Sequence, residues 1–192
     1  MSREMSKEMW KPGNMLYPLP AVMVSAGDKA GNRNIITVAW TGTVCTNPAM
    51  LYISVRPERY SYGMIRETGE FVVNLTTEKL AYAADWCDVK SGRDVDKWKE
   101  MRLTPVKADK LEYAPLIEES PVKIECKVTE IKELGSHHMF LAEVQAVHVD
   151  KNYLSESGKF ELNKSGLLAY SHGTYLKLGE ELGTFGYSVK KK

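Results

Sequence analysis

Residues 122–129 constrain the fold more tightly than any other stretch. Val122, Ile124, Cys126 and Val128 alternate with Lys123, Glu125, Lys127 and Thr129. A period of two predicts a strand with one buried face and one wet face. Residues 139–149 form a long apolar strand, and Gly135-Ser136-His137-His138 reads as the turn between the two. Other β-rich runs cover 20–26, 35–40, 50–55 and 70–75. The polar segment 27–32 joins the first two of these as a hairpin. Short β segments punctuated by glycine follow between 167 and 188.

Helices are few. Ser61 stands as an N-cap and Gly69 as a stop, which frames a helix over 62–68. A second helix begins near Thr76 or Thr77, with Glu78 in its first turn and Leu80, Ala83, Ala84 and Cys87 on one stripe. The polar bridge 91–98 runs on toward a short third helix. About seven strands against two or three helices predict a mainly β protein, a barrel-like sheet with helical decoration. Strands and helices do not alternate, so a doubly wound nucleotide fold is not expected.

The chain has 192 residues and no internal repeat. Pro12, Gly13, Pro18 and Pro20 break any regular element near the start. We therefore read residues 1–19 as an N-terminal arm and 20–192 as a single domain. Cys45, Cys87 and Cys126 are far apart and form no Cys-x-x-Cys pair, which predicts reduced thiols in a cytoplasmic protein. The opening residues are too polar for a signal peptide, and no apolar run reaches membrane-spanning length. A net charge of +1, with Lys190-Lys191-Lys192 as the one basic run, gives no field for nucleic acid or a lipid surface. The expected partners are a small molecule or another protein.

The familiar nucleotide and hydrolase motifs are absent, including the glycine-rich phosphate loops. Two segments offer chemistry in their place. Ser54-Val55-Arg56-Pro57-Glu58-Arg59-Tyr60-Ser61 ends a strand, brings two arginines and opens a helix. Helix-start N–H groups, a bidentate cation and a hydroxyl suit a phosphate monoester. Asn34-Ile35-Ile36-Thr37-Val38-Ala39-Trp40-Thr41-Gly42-Thr43 is a strand whose small residues permit close approach of a flat heterocycle. Alternation puts Thr37 and Ala39 on one face, Val38 and Trp40 on the other. Taken singly, each segment also reads as ordinary structure: a capped helix with solvated arginines, and a buried strand entering a loop.

Together the two segments resemble the FMN-binding split β-barrel proteins of the flavin reductase and flavoredoxin type. The resemblance runs from about residue 20 to 187. It rests on Asn34-x-x-Thr37, Pro48, Ser54 with Arg56, Tyr60-Ser61, Ile65, and Glu70-Phe71-Val72-Val73-Asn74. Further on come Ser91-Gly92-Arg93 with Asp96-Lys97, then Ser136-His137 ahead of Phe140-Leu141-Ala142-Glu143-Val144. It implies a homodimeric split barrel holding FMN non-covalently where two subunits meet. Asn34, Thr37, Val38, Ala39, Trp40 and Thr41 would border the isoalloxazine ring. Ser54, Val55, Arg56, Tyr60 and Ser61 would hold the ribityl phosphate, with Arg59 and Asn74 nearby. Lys97 and His137 match positions near the flavin, with a contribution from the second subunit left open. Tyr170, His172 and Tyr175 would close the pocket. Many relatives carry an acid before the hairpin histidine and a small hydroxyl residue after it, where this chain has Ser136 and His138.

The resemblance implies an FMN-dependent oxidoreductase, taking electrons from NAD(P)H or a small redox protein. It would pass them to flavin, ferric iron or another carrier, with His137 meeting the incoming substrate. A non-catalytic FMN carrier or sensor needs the same pocket. A binder of another phosphorylated ring, such as pyridoxal phosphate, needs a similar one. No metal site is expected, because adjacent histidines in a turn rarely point at one ion and no carboxylate or thiol stands at usable spacing. Trp86-Cys87 reads as buried packing at a helix end, without a neighbouring base to activate the thiol.

Overall fold

The computed structural model describes residues 7–189. The first six residues of the expected arm and the Lys190-Lys191-Lys192 run lie outside the described residues. The strands are β1 (Leu19–Pro20), β2 (Val22–Gly27), β3 (Arg33–Val38), β4 (Thr41–Cys45), β5 (Met50–Val55), β6 (Glu70–Leu75), β7 (Pro105–Val106), β8 (Leu116–Ile117), β9 (Val122–Leu134), β10 (His137–Val149), β11 (Leu168–Ser171) and β12 (Thr174–Lys177). The helices are α1 (Tyr60–Thr68), α2 (Ala81–Val89) and α3 (Lys97–Glu100), with a 3₁₀ turn over Glu78–Leu80 leading into α2.

Seven strands form one antiparallel sheet in the order β3-β2-β6-β9-β10-β5-β4. Its two edge strands, β3 and β4, are consecutive in sequence and separated only by Ala39 and Trp40. Three Cα steps span at most about 11 Å, whereas seven strands laid flat would put the outer two about 29 Å apart. The sheet therefore has to curl until its edges meet. The link is held by bonds from Thr41 N to Ala39 O (3.0 Å) and from Ser54 N to Trp40 O (2.8 Å). This seam positions the functional cleft.

Val24, Ile36, Ile53, Phe71, Cys126 and Phe140 fill the inside of the curled sheet, and α1 adds Tyr62, Met64 and Ile65. Gly69, at φ 69°, ends α1 and lets β6 begin one residue later. Outside, the 3₁₀ turn and α2 lay Leu80, Ala83, Ala84 and Cys87 against Met23 and Ile35, the stripe expected from the sequence. The loop after α3 covers the neighbouring face with Ala108, Leu111, Ala114 and Leu116 over Val72. Strand β2 is thus buried along its whole length, which explains why Ser25 is its one polar side chain.

Two local expectations are corrected. Helix α1 starts at Tyr60 with Arg59 as its N-cap, so Ser61 lies inside the first turn rather than capping it. Its hydroxyl instead accepts a 2.8 Å bond from Asn34 Nδ2, and both residues are buried. The alternation at the start of β9 also does not leave a wet face. Lys123 is 8% exposed and Glu125 is 0% exposed, because the 105–117 segment crosses that side.

Glu125 fastens this crossing segment. Its carboxylate accepts from Asp109 N (2.9 Å) and Lys110 N (2.7 Å) and meets His148 Nε2. Glu70 does the same for Glu112 N and Tyr113 N, both at 2.9 Å. Asp109, Glu125 and His148 bring their ligand atoms within 4.8 Å of one another. Both oxygens of Glu125 are already engaged by backbone donors there.

Burial alone would raise the Glu125 pKa. The bonds from Asp109 N, His148 and Lys110 N outweigh it, so the group lies below its ordinary 4.5. A depressed carboxylate pKa contributes stability that is present above about pH 4.5 and lost as pH falls through the folded-state value. Glu125→Gln should cost about 1–3 kcal/mol at pH 7 and progressively less on acidification. Urea unfolding of both proteins at neutral and acid pH checks this; a pH-independent difference would remove the carboxylate from the account.

Candidate functional site

A cleft opens where the seam, the end of β5 and the start of β10 meet. Its volume is about 120 Å³. Thr37, Val38, Ala39 and Trp40 come from the seam, Ser54, Val55 and Arg56 from β5 and the residue after it, and His137 from β10. Strand alternation stops at Val38, so Ala39 and Trp40 form the link instead of continuing the two faces. Trp40 and His137 lie parallel, with 5° between their planes and 6.0 Å between centroids. Tyr170 and Tyr175, 5.6 Å apart, form another wall. They belong to the small sheet β1-β11-β12, in which Leu19 pairs with Tyr170.

This aromatic end continues into a second cavity that shares Ile36, Arg56 and Arg59 with it and adds Asn34, Tyr60, Ser61, Gly92 and Arg93. Here α1 begins with no side-chain cap; Tyr62 N bonds Arg59 O, which leaves the N–H groups of Tyr60 and Ser61 for an anion. Arg59 donates to Asp88 O (2.9 Å) and Asp88 Oδ1 (2.8 Å). Arg56 pairs with Glu58 at 3.0 Å. Arg93 lies 5.5 Å over the Tyr60 ring and donates to Glu58 O. Gly92 makes this closure sterically feasible, since a Cβ there would collide with Asn34 and Tyr60.

Carbonyls of α2 tie the cleft together. Thr37 Oγ1 donates to Ala84 O (2.6 Å), Arg59 to Asp88 O, and Lys97 Nζ to Cys87 O (2.6 Å) and Ile35 O (2.7 Å). Helix ends leave carbonyls such as those of Cys87 and Asp88 without intrahelical partners. Three residues expected to serve a ligand thus also dock α2. Lys97 borders the basic end, but the residue is only 4% exposed and its ammonium bonds these two carbonyls.

Three expected site residues fall outside the cleft. Asn74 is fully buried in β6, where its amide bonds Met23 O, Ser25 Oγ and Ile117 N. Its polar atoms knit β2 to β8. Thr41 points its hydroxyl at Tyr52 O (2.6 Å), fixing β4 on β5. His172 sits in the β11–β12 turn and packs edge-on to Tyr17 at 5.0 Å, against the arm. The sequence reading missed Ala21, Ile36 and Asp88 as lining residues. Asp88 follows the buried stripe of α2 by one residue, a signal that gains meaning only once α2 is docked.

Electrostatics sort the titratable groups. Burial and then Arg56 lower the His137 pKa, which favours a neutral ring near pH 7. Burial, followed by Asp85 and Asp88, pushes Tyr175 up to about 12 and keeps it protonated. Burial pushes the Cys87 thiol up to about 11, as expected of packing rather than redox chemistry. His138 faces away from the cleft, with Nδ1 2.7 Å from Tyr62 Oη. No helix among the described residues is long and apolar enough to cross a membrane.

A curled antiparallel sheet with a cleft at its seam defines a split-barrel protein. The chain belongs to the flavin reductase-like domain family, whose model matches residues 14–179. Among solved structures it is similar to flavoredoxin of Desulfovibrio vulgaris (Miyazaki F), 29% identical, covering 96% of this chain and 100% of that one, with a TM-score of 0.88. Flavoredoxin from Methanosarcina acetivorans is 27% identical, covering 95% and 97%, with a TM-score of 0.86. An uncharacterised protein of Archaeoglobus fulgidus is 29% identical over 158 residues, 82% of this chain and 86% of that one.

Burial lowers the Lys97 pKa to about 8. Between about 8 and the ordinary 10.5 the unfolded chain binds more protons, so stability should rise with pH across that window. The neutral amine still has two N–H donors for Ile35 O and Cys87 O, so these bonds survive deprotonation. Lys97→Met should remove this part of the pH slope, measured as the difference in urea midpoints between variant and wild type from pH 7 to 10. An unchanged slope would mean the ammonium is better solvated than its burial implies.

Proposed function

We propose that the protein binds FMN in this cleft as a cytoplasmic oxidoreductase. It passes electrons from a reduced donor, NAD(P)H or a small redox protein, to flavin, ferric iron or another carrier. One observation carries the reading: an aromatic cavity and an arginine-lined cavity are joined along Ile36, Arg56 and Arg59. A flat ring with a phosphate on a flexible chain has that distribution of chemistry. The donor set fits it, with Trp40, Ala39 and the β3 backbone for the ring. Arg56, Arg59 and the uncapped start of α1 suit the phosphate. Bound flavin supplies the hydride and electron chemistry, and the protein supplies orientation, charge and exclusion of water.

The chain's own residues divide accordingly. The α2 carbonyls hold Thr37 and Arg59 in place, Asn34 holds Ser61, and Gly92 lets the 90–93 loop close over the basic end. His137 sits at the aromatic end, where a neutral ring nitrogen can hydrogen-bond an incoming donor. We further propose a homodimer. Apolar residues of β10, the arm and the tail stay exposed, among them Val147 at 55%, Trp10 at 74% and Phe185 at 107%. A second copy that covers them supports the reading.

The purified protein should be yellow, with about one FMN per chain, and should sediment as a dimer. Arg56→Ala should weaken FMN about tenfold to a hundredfold while leaving riboflavin nearly unchanged, by fluorescence quenching. Equal losses for both ligands would misplace the phosphate.

His137→Ala should keep normal FMN content yet slow anaerobic reduction by the donor. His138→Ala, bonded to Tyr62 on the far side, should have a much smaller effect. Stopped-flow traces of both variants decide it, and wild-type rates for His137→Ala with every donor would leave that residue a packing role beside Trp40.

A further inference from the structure

Two of the three arginines at the basic end, Arg56 and Arg59, are held by a carboxylate, but the two pairs differ in geometry. Arg59 uses two terminal nitrogens on one residue, meeting the Asp88 carboxylate at 2.8 Å and its carbonyl at 2.9 Å. That carbonyl belongs to the last turn of α2, so the guanidinium plane is fixed at two points on a docked helix. Its remaining N–H donors stay available at the junction of the two cavities. Arg56 makes one contact, from Nε to Glu58 Oε1 at 3.0 Å, with side chains 52% and 63% exposed. The Glu58 main chain is kept in place by Arg93 bonding its carbonyl, and its carboxylate lies beside Arg56. An exposed pair two residues apart adds little to stability.

We propose that these two carboxylates act on phosphate binding in opposite senses: Asp88 positions Arg59 for a phosphate monoester, while Glu58 competes with that phosphate for Arg56. The proposal rests on the reading of this cleft as an FMN site. Asp88 is a positioning residue, since it acts through Arg59. Glu58 is an internal rival that an incoming dianion has to displace. Uniform electrostatics points elsewhere: removing either negative charge makes the basic end more positive, and both losses would strengthen FMN. A packing role differs again, because it would change FMN and riboflavin alike.

The test is the affinity of FMN and of riboflavin, by flavin fluorescence quenching, for wild type, Glu58→Ala, Asp88→Ala and Asp88→Asn. Glu58→Ala should bind FMN about threefold more tightly, and Asp88→Ala about tenfold more weakly, with riboflavin unchanged in both. Asp88→Asn retains an acceptor oxygen and should recover part of the loss. Tighter FMN binding by both alanine variants would overturn the proposal in favour of simple charge. So would an equal loss of riboflavin in Asp88→Ala, or no recovery in Asp88→Asn. A wild type that does not prefer FMN to riboflavin would remove the phosphate reading itself, and this proposal with it.

Discussion

The two-residue link between β3 and β4 is the constraint on which the rest of the molecule depends. It joins the outer strands of a seven-stranded sheet, and no flat arrangement can satisfy it. Once the sheet curls, its concave face must be filled, and Ile36, Ile53, Phe71 and Phe140 do so with α1 beside them. The same link leaves a place where regular pairing stops. Trp40 gives its carbonyl to Ser54 while its ring lies parallel to His137 on the next strand but one. Backbone edges and a flat side chain therefore meet at one point, and the cleft lies there for topological reasons.

A second dependence runs through α2. Its carbonyls receive Thr37, Lys97 and Arg59 from three different segments, so the helix that seals the outer face of β2 and β3 also sets the cleft's polar contacts. Lys97 shows the trade involved. Burying an ammonium is unfavourable, and its lowered pKa reports that cost. Yet a single side chain satisfies two backbone acceptors, Ile35 O and Cys87 O. A ligand in the cleft would thus act on a surface already braced from behind, which favours preorganisation over closure on binding.

Much of this was legible in the sequence where local pattern decides structure. The β2–β3 hairpin, the buried stripe of α2 and the β9–β10 pair follow from period and turn residues alone. The seam residues Thr37 to Trp40 and the Arg56–Ser61 segment were also visible as chemistry. What the sequence hid are partnerships across long separations. The resemblance put Asn74 near the phosphate, yet its amide is spent on Met23, Ser25 and Ile117. Ser61 looked like a cap, yet Asn34, 27 positions earlier, claims its hydroxyl. Lys123 and Glu125 looked solvated because their alternation carries no trace of the loop that covers them.

That loop shows why the acidic residues of this chain cannot be read by charge alone. Glu70 and Glu125 are buried and accept pairs of backbone N–H groups, which satisfies a crossing segment that has little regular pairing of its own. Asp88 and Glu58 are half-exposed and face guanidinium groups instead. A carboxylate of the first kind holds the fold, because leaving those donors unpaired in the interior is costly. One of the second kind holds little of the fold, because water screens it. Its effect must appear in whatever else the arginine can bind. The division between stability and recognition therefore follows from burial and partner, and it places the recognition chemistry at the open end of the seam.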